Sequence, residues 1–256
     1  MKFVTWNVNS LSVRIGHVLD WLREHQPDVI CLQETKQEDS KFPYDALREI
    51  GYEAIHSGQK TYNGVAIISR HPMTNIQRNM PDFEDSHQRV IAADIEGIRV
   101  ICAYIPNGQA VDSDKYVYKL NWLQAFNTWV KSQLVIHPKL VVLGDYNIAP
   151  EDRDCHDPAA WEGQVLCSPK ERQAFQELLG LGLHDSFRLF DQPEKSYSWW
   201  DYRMLGFRRN FGLRIDHILV SEALKSSCKS VHIDRAPRKL ERPSDHTPVV
   251  LELNPN

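Results

Sequence analysis

The chain has 256 residues, 42% hydrophobic and 25% charged, an ordinary globular composition with ample apolar material for a core. Its formal net charge is −4, with 30 Lys and Arg against 34 Asp and Glu, so the overall balance gives no support for a nucleic-acid partner and any such surface must be local. Five cysteines (Cys31, Cys102, Cys155, Cys167, Cys228) show no CxxC or CxH spacing, no apolar run nears the roughly 18 residues that cross a bilayer, and the N-terminus turns polar too early for a signal peptide. These features point to reduced thiols, no zinc site and no membrane partner, and the expectation is a cytosolic monomer with one domain over 1–256.

In chain order, Phe3–Asn9 reads as a strand that ends in asparagines. Ile15, Val18, Leu19 and Leu22 then recur at helical spacing until Pro27 stops the helix. Asp28–Glu34 is a second buried strand, again with a polar end. Strands follow at Gly64–Ser69, Val90–Ile95 and Ile98–Ile105, and a helix with Leu123, Phe126 and Val130 on one face leads to a strand at Leu140. An irregular stretch to about Leu166 precedes Ser168–Glu171, a capping box with proline at the first helical position, and a helix that buries Phe175, Leu178 and Leu179 and ends at Gly180. Gly212–Val220 reads as one strand, and Arg242–Leu253 as a loop feeding a closing strand. Strands with polar ends, alternating with helices, predict an α/β layered fold with its site at one edge of a sheet.

Polar groups recur just past buried strands: Asn7 and Asn9, Glu34, Tyr104 and Asn107, Asp145 and Asn147, Asp216, Asp245 and His246. Each alone reads more readily as a turn or cap residue. Together, several carboxylates, amides, a tyrosine and a histidine suit a hard cation and a phosphate, and magnesium favours such oxygen donors. Neighbours on a strand face opposite ways, so Asp245 is badly placed to orient His246. Asp216, from another strand, is the better partner, and His217 beside it should point away. A second constellation, Ser198–Phe211, interleaves Trp199, Trp200, Tyr202, Phe207 and Phe211 with Arg203, Arg208 and Arg209. Its alternatives are aromatic core, or arginines on phosphates with wedges entering a groove. Arg235–Arg242 adds basic residues beside the Asp245-His246 loop, its alternative reading being a solvated loop.

The segments TWNVNS at 5–10, LQE at 32–34, YNGV at 62–65, GDYN at 144–147, GLRID at 212–216 and PSDH at 243–246 resemble the exonuclease III-type apurinic/apyrimidinic endonucleases, DNase I-like metal-dependent phosphoesterases. The likeness runs nearly end to end. It implies a four-layer sandwich of two packed mixed sheets flanked by helices. It also implies that Glu34 is the principal ligand of Mg²⁺ (with Mn²⁺ able to substitute), with Asn7, Asn9 and Asp245 around it. By the same resemblance Asp145 aligns or deprotonates water, Asn147 holds the phosphate, His246 with Asp216 contacts it, and Tyr104 and Asn107 line the phosphate and leaving-group side. Trp199, Leu213 and Ile215 fall at the pocket for an abasic sugar, with Arg203 on the distorted backbone. Regular alternation would set Leu213 and Ile215 on the face opposite Asp216, so such a pocket requires a twist or bulge near Ile215. The expected function is a DNA repair phosphodiesterase on duplex DNA: abasic-site endonuclease, 3′–5′ exonuclease and 3′-phosphatase. The alternatives are a phosphatase of lipid or inositol phosphates, and a non-catalytic DNA-binding protein on the same fold.

Overall fold

The computed structural model describes residues 1–254. Along them run β1 (Lys2–Asn7), α1 (Leu11–His25), β2 (Val29–Gln33), α2 (Tyr44–Arg48), β3 (Glu53–Ser57), β4 (Val65–Ser69), β5 (Thr74–Arg78), β6 (Val90–Ile95) and β7 (Ile98–Tyr104). Then come α3 (Asp114–Ile136), β8 (Leu140–Asp145), α4 (Pro158–Trp161), α5 (Pro169–Gly180), β9 (Leu183–Asp185) and β10 (Trp199–Trp200). The chain closes with α6 (Gly206–Arg209), β11 (Gly212–Leu213), β12 (Asp216–Ser221), α7 (Glu222–Lys225), β13 (Cys228–Ile233) and β14 (Val249–Leu253).

Two six-stranded sheets form, in the orders β13-β14-β1-β2-β4-β3 and β5-β6-β7-β8-β12-β9. Each is mixed: β1 and β2 pair in parallel in the first, β7 and β8 in the second, and the remaining neighbours are antiparallel. The sheets pack face to face over Phe3, Val29, Cys31 and Ile67 from one and Ile91, Val100, Cys102, Val141, Leu143 and Ile218 from the other. The outer face of the first sheet is covered by α1 and α2 through Val18, Leu22 and Leu47. That of the second is covered by α3 and α5 through Trp122, Phe126, Phe175 and Leu178. The result is helix, sheet, sheet, helix, the four-layer sandwich anticipated above.

In the two large sheets four strands escape the sequence pattern, β3, β5, β9 and β13, and they are the four edges; β10, paired only with β11, escapes it as well. An edge strand buries little and so carries weak alternation; most of β5 is exposed. The single strand expected at Gly212–Val220 is broken into β11 and β12. Arg214 turns inward, to Asp154 (2.7 Å) and Asp185 (2.8 Å), and the Ser198 hydroxyl accepts the N–H groups of Ile215 and Asp216 (3.1 Å each) in place of a ladder. The basic loop at 235–242 is not simply solvated, because Pro237 and Arg238 are buried and Arg235 and Arg238 stack over Trp200 and Phe207. The capping box forms as expected, with Ser168 accepting from the Glu171 N–H and Glu171 from the Ser168 N–H.

Gly144 is fixed by the parallel pairing of β7 and β8, where it sits opposite Ala103. A Cβ there would lie 1.8 Å from the Ala103 carbonyl oxygen, and backbone cannot move aside as a side chain can. Gly16, exposed in α1, meets nothing within 4 Å. Gly144→Ala is therefore expected to destabilise by about 1–3 kcal/mol or more. Gly16→Ala should stabilise by about 0.5–1 kcal/mol. Thermal melts of the two variants, moving in opposite directions, check this.

Candidate active site

Inner-face alternation places the site. On β1, β7, β8 and β12 the residues that face the opposite sheet include Phe3, Val100 and Cys102, Val141 and Leu143, and Ile218 and Val220. Continuing in steps of two reaches Asn7, Tyr104, Asp145 and Asp216, at one end of the cleft between the sheets. Glu34 follows β2, with a left-handed backbone (φ 52°), as do Asn9 (φ 42°) and Asn147 (φ 49°) just past their strands. Chain reversal at the strand ends thus points these side chains back over the cleft.

The Asn7 amide donates to Glu34 (2.9 Å) and Asp145 (2.8 Å), bridging the two sheets. Asp145 also accepts the Asn147 N–H (2.9 Å) and lies 3.6 Å from His246 Nε2. The other imidazole nitrogen, Nδ1, is 2.9 Å from Asp216, whose carboxylate is fixed by the Ser198 hydroxyl at 2.7 Å. Asn147 donates to the Ile105 carbonyl (3.0 Å), and its own amide oxygen accepts from Asn107 (3.1 Å). Tyr104 sits between Glu34 and Asp145, under the guanidinium of Arg89, 4.8 Å from its ring centre.

The charges of this cluster are interdependent. Burial opposes the charged imidazole of His246, but Asp216 and Asp145 outweigh it and raise its pKa to about 10. Burial pushes Asp145 up to about 7; His246 opposes this, while Asp216 and Glu34 add to it. Tyr104 is raised well above the usual phenol range, chiefly by burial and then by Glu34 and Asp145, so its hydroxyl keeps its proton as a donor. His217 is the opposite case. It faces the outer layer, bonded to the Ile148 carbonyl at 2.8 Å and to Arg214 at 3.0 Å, and burial with the Arg214 charge lowers it to about 4.

Glu34, Asp145 and His246 each bring a ligand atom within 4.8 Å of the others, the one such group among the described residues. Asn9 and Asp245 form a neighbouring network. Asp245 accepts from Asn9 (2.9 Å) and from the Trp199 indole (2.9 Å), which occupies both its carboxylate oxygens. Lys36 joins the two networks, reaching Asn9 Oδ1 (2.6 Å) and Glu34 (3.1 Å). Leu213 and Ile215 lie in one buried cluster with Trp199 packed against it. Arg203 stays apart, strongly exposed and paired with Asp201. Sequence reading passed over Lys36 and Ser198. The signal for Lys36 was its place two residues past Glu34; that for Ser198 was its position at the head of the aromatic run.

Residues 4–246 match the Endonuclease/Exonuclease/phosphatase family. Over 266 residues the chain is 37% identical to exodeoxyribonuclease III of Haemophilus influenzae, covering 99% of this chain and 100% of that protein. It is 31% identical over 260 residues to the DNA repair nuclease APEX1 of Danio rerio, covering 99% and 82%. Among solved structures it resembles a 3′ phosphatase from Neisseria bound to a product DNA hairpin, with TM-score 0.98 and 49% identity over 99% of each chain. An AP endonuclease from Archaeoglobus fulgidus matches with TM-score 0.96 and 37% identity over 100% of each chain. Matched from β1 to His246, the chain belongs to the Endonuclease/Exonuclease/phosphatase family.

Proposed function

We propose that the chain is a Mg²⁺-dependent DNA repair phosphoesterase that hydrolyses phosphate esters at 3′ ends and abasic sites of duplex DNA. The observation that carries this reading is the convergence of Glu34, Asp145 and His246, with Asp216 behind the imidazole. The relatives agree, being named as exodeoxyribonuclease III, a DNA repair nuclease, an AP endonuclease and a 3′ phosphatase on DNA. The lipid-phosphatase alternative has no such support, and a non-catalytic role leaves the buried charges of the cleft without a purpose.

The donors fit a hard divalent ion, since Glu34 and Asp145 offer carboxylate oxygens, and burial, with the Asp216 and Glu34 charges added, leaves Asp145 short of a compensating cation. Glu34 would hold the ion with Asp145 beside it, while Asn9 and Asp245 border the site. Such an ion, when bound, neutralises charge on the phosphate oxygens. The protein groups do the rest. Asp145 orients water for in-line attack and accepts its proton. His246, kept charged by Asp216, donates Nε2–H to a phosphate oxygen, and Asn147 and Asn107 fix the phosphate from the opposite side. Tyr104 offers a hydrogen bond from its hydroxyl toward the leaving side.

A duplex would rest on the rim that carries Tyr202, Met204 and Leu205, exposed large side chains among Arg203, Arg208 and Arg209. Apolar tips within a basic frame suit a groove whose phosphates the arginines neutralise. The chain's charge of −4 is no obstacle to this, because Arg208 and Arg209 are exposed at the rim itself.

The trio expected to receive an abasic sugar is largely filled. Leu213 is 0% and Ile215 1% exposed, packed with Ala149, Cys155, Leu166 and Cys167, and Trp199 alone reaches the surface. An internal abasic sugar must open this cluster, whereas a 3′-terminal phosphate need not. On labelled duplexes, 3′-phosphate removal should therefore outpace incision at an internal abasic site by at least about tenfold, a difference of about 1.4 kcal/mol in barrier. Equal rates would mean that the cluster opens readily; release of phosphate from inositol phosphates with no activity on duplex DNA would defeat the function proposed.

Two further outcomes follow from the charges. Asp145→Asn and His246→Asn should each lower kcat by about 10²–10³, with KM for the duplex little changed, as expected of groups that act on the transition state. Steady-state kinetics on the 3′-phosphate duplex checks this. Glu34→Gln should raise the Mg²⁺ concentration for half-maximal rate by about tenfold or more, and EDTA should abolish activity.

A further inference from the structure

One buried charge pair lies outside the chemistry described so far. Lys119 of α3 and Glu171 of α5 are both 0% exposed and bonded to each other. The remaining two donors of the ammonium go to the backbone carbonyls of Asn147 (2.7 Å) and Asn107 (3.1 Å). Glu171 is equally engaged, because its oxygens also accept the N–H groups of Leu166 (3.0 Å) and Ser168 (3.1 Å) and the Ser168 hydroxyl. The capping-box glutamate is thus the anchor of a cation that grips both asparagine loops from behind.

Stability alone does not account for this pair. Desolvating two charges costs several kcal/mol per ion, and an apolar pair of similar volume is commonly as stable or better by about 1–4 kcal/mol. The α3–α5 contact already has Trp122, Phe126, Phe175 and Leu178. An apolar pair could not bond two carbonyls from separate segments. Asn147 has a left-handed backbone and Gly108 follows Asn107 with φ 91°, so both carbonyls lie in reversed chain that no sheet ladder secures. Burial lowers the Lys119 pKa, Glu171 opposes that, and Asp145 also favours the charged ammonium.

We propose that Lys119, held by Glu171, is a positioning residue: it fixes the spacing of the Asn107 and Asn147 loops so that their amides, 3.1 Å apart, meet the phosphate together. This rests on the reading of Asn107 and Asn147 as phosphate holders. Its effect passes through those amides and leaves the DNA-facing rim untouched.

The test is a pair of double-mutant cycles on 3′-phosphate removal from a duplex, with melts of every variant. Lys119→Met should lower kcat by about 10–100-fold, the usual scale for a group that supports a site from behind, with KM nearly unchanged. Combined with Asn147→Ala, it should add almost nothing further; combined with Tyr104→Phe, which Lys119 does not touch, the losses should multiply. Should Lys119→Met fail to fold, Glu171→Gln takes its place in the same cycles. A folded variant with wild-type kcat, or losses that multiply with Asn147→Ala, would overturn the proposal, as would non-additivity with both partners. If Asn147→Ala itself keeps full kcat, the reading of Asn147 as a phosphate holder fails instead, and the inference with it.

Discussion

A strand sends every second side chain to the same face, and in this chain that rule operates in a cleft between two sheets packed upon each other. The inner faces of β1, β7, β8 and β12 are apolar where the sheets touch and turn polar one step past the contact, at Asn7, Tyr104, Asp145 and Asp216. The same packing that stabilises the fold therefore delivers the polar groups to one place, from segments as far apart in the chain as Asn7 and Asp216. Shifting any of these strands by one residue would turn its terminal polar side chain toward a helix layer. The steric fit of Gly144 against Ala103 keeps β8 close to β7 at the last step before Asp145.

The two histidines that follow aspartates show how much depends on facing. His217 takes the outward step of β12, lies against Tyr146 and Phe175, and burial beside Arg214 leaves it neutral, with a pKa of about 4. His246 lies between Asp216 and Asp145 and is held at about 10. Residue type and neighbour in sequence are the same; the charges met across the fold are opposite. The cation is thereby kept where a phosphate would arrive, and Ser198 fixes the carboxylate that keeps it there.

Much of this was legible in the sequence because it depends on local periodicity. Central strands, their polar ends, the Ser168–Glu171 cap and the preference of His246 for Asp216 over its neighbour all follow from alternation or turn chemistry. The edge strands were not legible, since β5 buries almost nothing that could leave a pattern. Neither was the break after Leu213, which depends on Arg214 finding Asp154 and Asp185, partners at separations of 60 and 29 residues. Lys119 was invisible for the same reason. In sequence it is one more lysine on a helix, and only the arrival of Glu171, 52 residues later, makes it a buried cation. Arg203 shows the converse, since a basic residue in a suggestive segment pairs with Asp201 two residues away.

The central claim is that the polar end of the inter-sheet cleft binds a hard cation and a phosphate side by side. A crystal structure of the chain with Mn²⁺ and a duplex ending in a 3′-phosphate tests it most directly, because the metal is located by anomalous scattering and the phosphate by density. The manganese should lie about 2.0–2.2 Å from a Glu34 carboxylate oxygen, a distance typical of hard octahedral cations. The phosphate should lie within hydrogen-bond reach of His246 Nε2 and the Asn147 amide. A phosphate seated instead in the adjoining cleft lined by His87, Arg89 and Tyr118, with no metal at Glu34, would contradict it.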